Sequence, residues 1–211
     1  MTTTLYGSAS TASLVVHWLL IELDIEHELV LLDFDTRQQK SADYLALNPA
    51  GRVPTLVIDG QVLTEAAAIA LHLADLHPQA GLLPAPGTEA RAQAYRWMFW
   101  CANTLQTAYR AWFYADEVAG ASNADAVRDS ARQQLEAGWA RFAGHLQQGG
   151  PYVLGDRVSV VDFMLVMLMR WSRNMPVPSD TWPELKAYAE RLKARPAFAE
   201  VYRREGIADW T

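Results

Sequence analysis

The segment Gly7-Ser8-Ala9-Ser10-Thr11-Ala12-Ser13 places four hydroxyls in seven residues, directly before an apolar helical pattern. Hydroxyl donors and open backbone N–H groups at the start of a helix can hold an anion. The residues alone do not choose among the four. Glu65 stands at the head of a second apolar run, where a carboxylate complements a helix N-terminus. Gln39, Lys40 and Arg52 read as solvated polar side chains, and Val53-Pro54 as a trans proline opening an edge strand. Tyr109, Trp112, Phe113 and Tyr114 cluster at helical spacing, a pattern that usually packs a core. The single cysteine, Cys101, excludes an internal disulfide or a dithiol pair and reads as a buried apolar thiol. His72 and His77 are five apart, off the i, i+4 spacing of a helical metal pair, and no glycine-rich phosphate loop occurs, so no metal is expected.

The elements that must position these groups follow from patterning. At 211 residues and 51% hydrophobic, the chain can bury a substantial core. Its net charge of −6 and lack of a basic tract argue against nucleic acid. The longest apolar run, residues 14–23, is broken by His17 and Glu22 and is too short to cross a bilayer. Residues 1–4 lack the positive region of a secretory signal, so no membrane partner and a cytoplasmic location are expected.

Residues 3–6 read as a strand, 14–23 as a helix capped from the hydroxyl-rich loop, 28–32 as a strand and 41–47 as a short helix ended by Asn48-Pro49. Residues 55–58 and 62–63 flank Asp59-Gly60, a hairpin signal, and 65–77 carry a helical pattern. Pro84, Pro86, Gly81 and Gly87 mark a linker over 79–87. Beyond it the pattern is helical: one long helix over 88–116, then 125–146, 160–173 and 183–194, followed by a tail. The organisation expected is thus an α/β domain over 1–78, βαβαββα in order, and an all-α domain over 88–211. Ser159-Val160-Val161-Asp162 has the spacing of a capping box, with Val158 and Phe163 as a hydrophobic staple; such a cap is worth about 1 kcal/mol.

Three stretches in this order resemble the glutathione S-transferase superfamily: Asn48-Pro49-Ala50-Gly51-Arg52-Val53-Pro54-Thr55-Leu56, Leu63-Thr64-Glu65-Ala66-Ala67-Ala68-Ile69, and Gly155-Asp156-Arg157-Val158-Ser159-Val160-Val161-Asp162. The resemblance implies a thioredoxin-like N-terminal domain, an all-α C-terminal domain, a homodimer, and glutathione as co-substrate in a detoxifying conjugation to small apolar electrophiles. It implies that Val53-Pro54 is cis and that the Val53 backbone pairs with the cysteinyl backbone of glutathione. It gives Glu65 the γ-glutamyl ammonium, the backbone N–H of Ala66 the γ-glutamyl carboxylate, and Gln39, Lys40 and Arg52 the glycyl carboxylate. Asn103 is placed for a contact to glutathione across the subunit boundary, and Tyr109, Trp112, Phe113 and Tyr114 around the electrophile.

Similarity to serine-type members of the family, theta-like and zeta-like, puts the catalytic serine at Ser10, with its neighbour Thr11 as the alternative. Tyr6, near the end of the first strand, reads instead as a packed strand residue. The loop lacks the cysteine of the beta-like class, and Ser10-Thr11-Ala12 differs from the Ser-Ser-Cys signature of zeta-like isomerases. The family usually has Ser or Thr where this chain has Ala66, which removes one hydroxyl from the expected glutathione site. Two alternatives follow: another glutathione-dependent enzyme on this scaffold (isomerase, dehalogenase or disulfide reductase), or a non-catalytic binding protein.

Overall fold

The computed structural model describes residues 2–211. By their contacts these form two units, one running up to Leu83 and including Lys193–Thr211, the other Pro84–Leu192.

The first unit opens with β1 (Thr3–Gly7), α1 (Ser13–Glu22), β2 (Glu28–Leu31), α2 (Ala42–Leu47), β3 (Thr55–Ile58), β4 (Gln61–Thr64) and α3 (Ala66–Leu76). The sheet order is β2-β1-β3-β4, parallel between β1 and β2 and antiparallel elsewhere. This is the βαβαββα arrangement of the thioredoxin-like fold. The β3–β4 hairpin closes through Asp59 (φ 47°) and Gly60 (φ 83°), the two left-handed residues that a two-residue turn of matching twist requires. Helix α1 is buried from Ser13 to Leu20, as a helix apolar on all sides should be. Leu5 and Leu56 of the sheet, Leu14, Val15, Trp18 and Leu19 of α1, and Ile69 and Leu73 of α3 are fully enclosed.

The second unit contains α4 (Glu89–Trp100), a π-helical turn over Cys101–Leu105, α5 (Gln106–Phe113), α6 (Ala115–Ala119), α7 (Ala124–Gly149), α8 (Val160–Trp171) and α9 (Pro183–Lys193). The single helix expected over 88–116 is therefore interrupted. The π turn widens it, and Tyr114 (φ −125°, ψ 40°) ends α5. Helix α8 is buried along Val160–Arg170. At its start the Asp162 carboxylate accepts from Ser159 N–H (2.7 Å), Ser159 Oγ–H (2.7 Å), Val153 N–H (2.9 Å) and Tyr188 O–H (2.7 Å). The expected cap is thus the visible part of a buried four-donor cluster. Burial raises the Asp162 carboxyl from its ordinary value while these donors pull it back. Cys101 is buried, and burial pushes its thiol up, which makes it inert.

The segment expected to be a tail forms α10 (Pro196–Glu205), with Pro196 in its first turn and Gly206 (φ 66°) ending it. It packs against α1 within the first unit, through Phe198 edge-on to Trp18 at 5.0 Å.

Candidate active site

Register gathers the site. Tyr6 at the end of β1 pairs with Thr55 at the start of β3, Thr55 pairs with Thr64 at the end of β4, and Gly7 pairs with Leu31 at the end of β2. The loops after β1, before β3 and after β4, and the segment after β2, therefore leave the sheet from one end. They carry Ser10 and Thr11, Arg52, Val53 and Pro54, Glu65 and Ala66, and Gln39 and Lys40.

In the β1–α1 loop the hydroxyls divide their work. Thr11 Oγ donates to the Ser8 carbonyl at 2.7 Å and Ser13 Oγ donates to the same carbonyl at 3.0 Å; Ser8 N–H donates to Ser13 Oγ at 3.1 Å. The N-cap position of α1 is Ala12, without a side-chain bond, and the Thr11 hydroxyl accepts from the N–H of Ser13, the first residue of the helix, at 3.4 Å. The expected capping role is thus narrowed to that one long bond, and the hydroxyls otherwise tie the loop to itself. Ser10, half-buried, holds a left-handed backbone at φ 66°.

The loop before β3 is pinned from beneath. Tyr44 O–H donates to the Arg52 carbonyl at 2.6 Å, and Asn48 Nδ2 donates to the same carbonyl at 2.8 Å. Asn48 also donates to Thr55 Oγ at 2.9 Å, which lies 2.8 Å from the Tyr44 hydroxyl. Burial raises the Tyr44 phenol from its ordinary value, with the Thr55 and Asn48 bonds opposing. Gly51 (φ 57°) turns the chain here; a Cβ on it would meet the Gln39 carbonyl at 2.8 Å. Lys40 Nζ donates to the Ala50 carbonyl at 3.2 Å. The Val53–Pro54 bond is cis, as the resemblance implies. Arg52 is exposed, Val53 half-exposed, and Gln39 Oε1 is enclosed without a hydrogen-bond partner.

Glu65 is exposed and sits at φ 69°, ψ 108°, outside ordinary non-glycine backbone. Such conformations cost about 1–3 kcal/mol and cluster where a ligand is held. The first helical bond of α3 runs from Ile69 N–H to the Glu65 carbonyl, so the N–H groups of Ala66, Ala67 and Ala68 have no acceptor within the helix. Ala66 itself is buried. This helix start can take a carboxylate, with Glu65 beside it for an ammonium group.

The remaining expected residues belong to the second unit. Asn103 is exposed on the π turn, Trp112 is half-buried, and Phe113 and Tyr114 are 49% and 42% exposed. Tyr109, expected beside the electrophile, is fully enclosed, stacked on Phe113 and edge-on to Trp171 at 5.5 Å. Its ring packs against both of these aromatics. Tyr44, and Asn48 and Thr55 beyond their places in the quoted motif, were not singled out by sequence; an Asn before Pro is their only trace. Glu205, described below, left none, and His17 left only its interruption of the apolar run over 14–23.

Comparison with known proteins gives this architecture its family. Residues 1–75 match the profile described as glutathione S-transferase, N-terminal domain, and residues 125–204 the glutathione S-transferase, C-terminal domain. The chain belongs to the glutathione S-transferase family. It is 31% identical over 207 residues to glutathione S-transferase GST-4.5 of Xanthomonas campestris pv. campestris, covering 96% of this chain and 98% of that one. A maleylacetoacetate isomerase of Pseudomonas aeruginosa is 29% identical over 208 residues, covering 94% and 93%. Among solved structures, a glutathione transferase homolog from Sulfitobacter with bound glutathione superposes with a TM-score of 0.90 at 29% identity, covering 98% of this chain and 99% of that one. Among the described residues no helix is long and apolar enough to cross a membrane.

Proposed function

We propose that the protein conjugates glutathione to small apolar electrophiles, with the Ser10 hydroxyl donating to the glutathione sulfur and favouring its thiolate. A free thiol ionises near pH 8.5, so a donor that lowers this value raises the nucleophile fraction at neutral pH. The thiolate then attacks the electrophilic carbon: an S–C bond forms and the leaving group departs with its electron pair. The Val53 backbone would pair with the cysteinyl backbone, Glu65 with the γ-glutamyl ammonium, and the start of α3 at Ala66 with the γ-glutamyl carboxylate. Gln39, Lys40 and Arg52 would meet the glycyl carboxylate. Tyr109, Trp112, Phe113 and Tyr114 are proposed around the electrophile, and Asn103 for a contact to glutathione across a homodimer; a cytoplasmic location accords with this reading.

The observation that carries the proposal is the shared sheet end of Ser10, the cis Val53–Pro54 loop and the left-handed Glu65. Ser10 is preferred over Thr11 because the similarity to serine-type members of the family puts the catalytic serine at Ser10. Ser10→Ala should lower conjugation with a generic aryl halide on the order of 100-fold, as losing one donor to a developing anion does; a wild-type rate would sink the assignment.

A second reading, a glutathione-dependent isomerase, draws on the maleylacetoacetate isomerase relative. Assay of cis–trans isomerisation beside conjugation separates the two. A binding protein without turnover, for which Ala66 speaks, predicts calorimetric glutathione binding and no conjugation.

A further inference from the structure

We propose that Glu205, the last residue of α10, is a positioning residue for Ser10; the inference rests on Ser10 being the catalytic serine. The Glu205 side chain is 0% exposed. Its Oε2 accepts from the Ser10 backbone N–H at 3.2 Å, and its Oε1 accepts from His17 Nδ1 at 2.8 Å. One carboxylate thus ties the loop ahead of α1 to the second turn of α1 itself, from a point 195 residues away in sequence.

The location runs against local preference. A helix C-terminus carries partial negative charge and disfavours a carboxylate, and burial disfavours it further. Arg203 and Arg204, in the same last turn, are turned to Glu200 instead. What offsets the cost at Glu205 is its pair of donors, one of them the Ser10 N–H. Side chains that break a local rule and are held by specific partners are found where function needs them.

The geometry also says what the bond controls. Ser10 is left-handed, at φ 66°. That conformation turns its N–H to Glu205 and thereby fixes where Cβ and the hydroxyl point. Without the acceptor, the residue loses the contact that selects this backbone over the right-handed one. Relaxation would swing the hydroxyl away from its place at the start of α1. The consequence falls on the chemical step rather than on glutathione binding, since the loop before β3 is pinned separately by Tyr44 and Asn48 and the Glu205 carboxylate reaches neither it nor the start of α3 in the bonds it makes to Ser10 and His17.

Two variants with opposite compromises test this. Glu205→Gln keeps the reach to Ser10 N–H and loses the charge. Glu205→Asp keeps the charge and draws back by one methylene, giving up the longer of the two bonds. Steady-state conjugation should show Glu205→Asp losing on the order of 10- to 100-fold in kcat, with KM for glutathione unchanged. Glu205→Gln should recover most of kcat. In a Ser10→Ala background, Glu205→Asp should cause no further loss. The reverse ranking, or an equal loss in both backgrounds that tracks the urea midpoint, would mean that the carboxylate serves only the fold and would overturn the inference. Wild-type kcat in Glu205→Asp overturns it too. A wild-type rate in Ser10→Ala alone would instead remove the serine assignment on which the inference stands.

Discussion

The loop that precedes the cis proline is held by a doubled set of donors, and doubling has a measurable signature. The Arg52 carbonyl accepts from both Tyr44 O–H and Asn48 Nδ2, and Thr55 Oγ touches both as well. Tyr44→Phe removes one donor from the Arg52 carbonyl and the acceptor of the Thr55 hydroxyl proton, and leaves Asn48 donating to both oxygens. Asn48→Ala removes the other donor and leaves Tyr44; the Ala50 N–H that it also releases belongs to an exposed residue and can turn to water. Each single variant should therefore lose about 1 kcal/mol in urea unfolding, the usual net worth of a hydrogen bond. Only the double variant leaves both the Arg52 carbonyl and the enclosed Thr55 Oγ without a donor, and an unpaired buried polar group such as the latter costs about 1–3 kcal/mol. The double loss should exceed the sum of the singles by about 1–2 kcal/mol. Because the loop presents the Val53 backbone, glutathione affinity measured by calorimetry should fall about 10-fold in the double variant, the equivalent of about 1.4 kcal/mol. Additive unfolding energies, within about 0.5 kcal/mol, would refute the account of two donors backing one another.

Three further outcomes are expected. Ser159→Ala should cost about 1.5–3 kcal/mol rather than the 1 kcal/mol of a simple cap, because the hydroxyl donates to the buried Asp162 carboxylate; unchanged chemical denaturation would rule this out. Gly51→Ala should lose at least about 1–2 kcal/mol for the left-handed backbone alone and more for the approach to the Gln39 carbonyl, with weaker glutathione binding by calorimetry. Burial, opposed by the Ile25 carbonyl bond, holds the His27 imidazole below its ordinary 6.5. The unfolded chain then binds more protons than the folded one, so this contribution is present above pH 6.5 and is lost as pH falls from there toward the folded value. His27→Gln should flatten that slope in urea midpoints taken across the acid range, and an unaltered slope would count against it.

Where the sequence was legible, the local rule and the tertiary demand agreed. Asp59-Gly60 names its turn because few other pairs accept two left-handed residues, and Ser159-Val160-Val161-Asp162 names a helix start because the cap lies within four residues. The break in the helix over 88–116 was not legible. A π turn over Cys101–Leu105 changes the backbone bonding without interrupting the apolar pattern, so periodicity continues through it. Helix α10 was legible and missed: Pro196 at its start and Gly206 past its end are the ordinary signals of a helix's two boundaries.

Glu205 marks a different limit. Nothing near it in the chain distinguishes it from Glu200, a neighbour one and a half turns earlier that lies at the surface and binds two arginines. The two carboxylates part company only because α10 lies on α1, which turns one end of the helix toward His17 and the Ser10 loop. The same packing that buries Phe198 against Trp18 therefore fixes the phase at which Glu205 arrives. A loop whose hydroxyls can be read in seven residues is thus held in its backbone conformation by a residue that only the folded chain can supply.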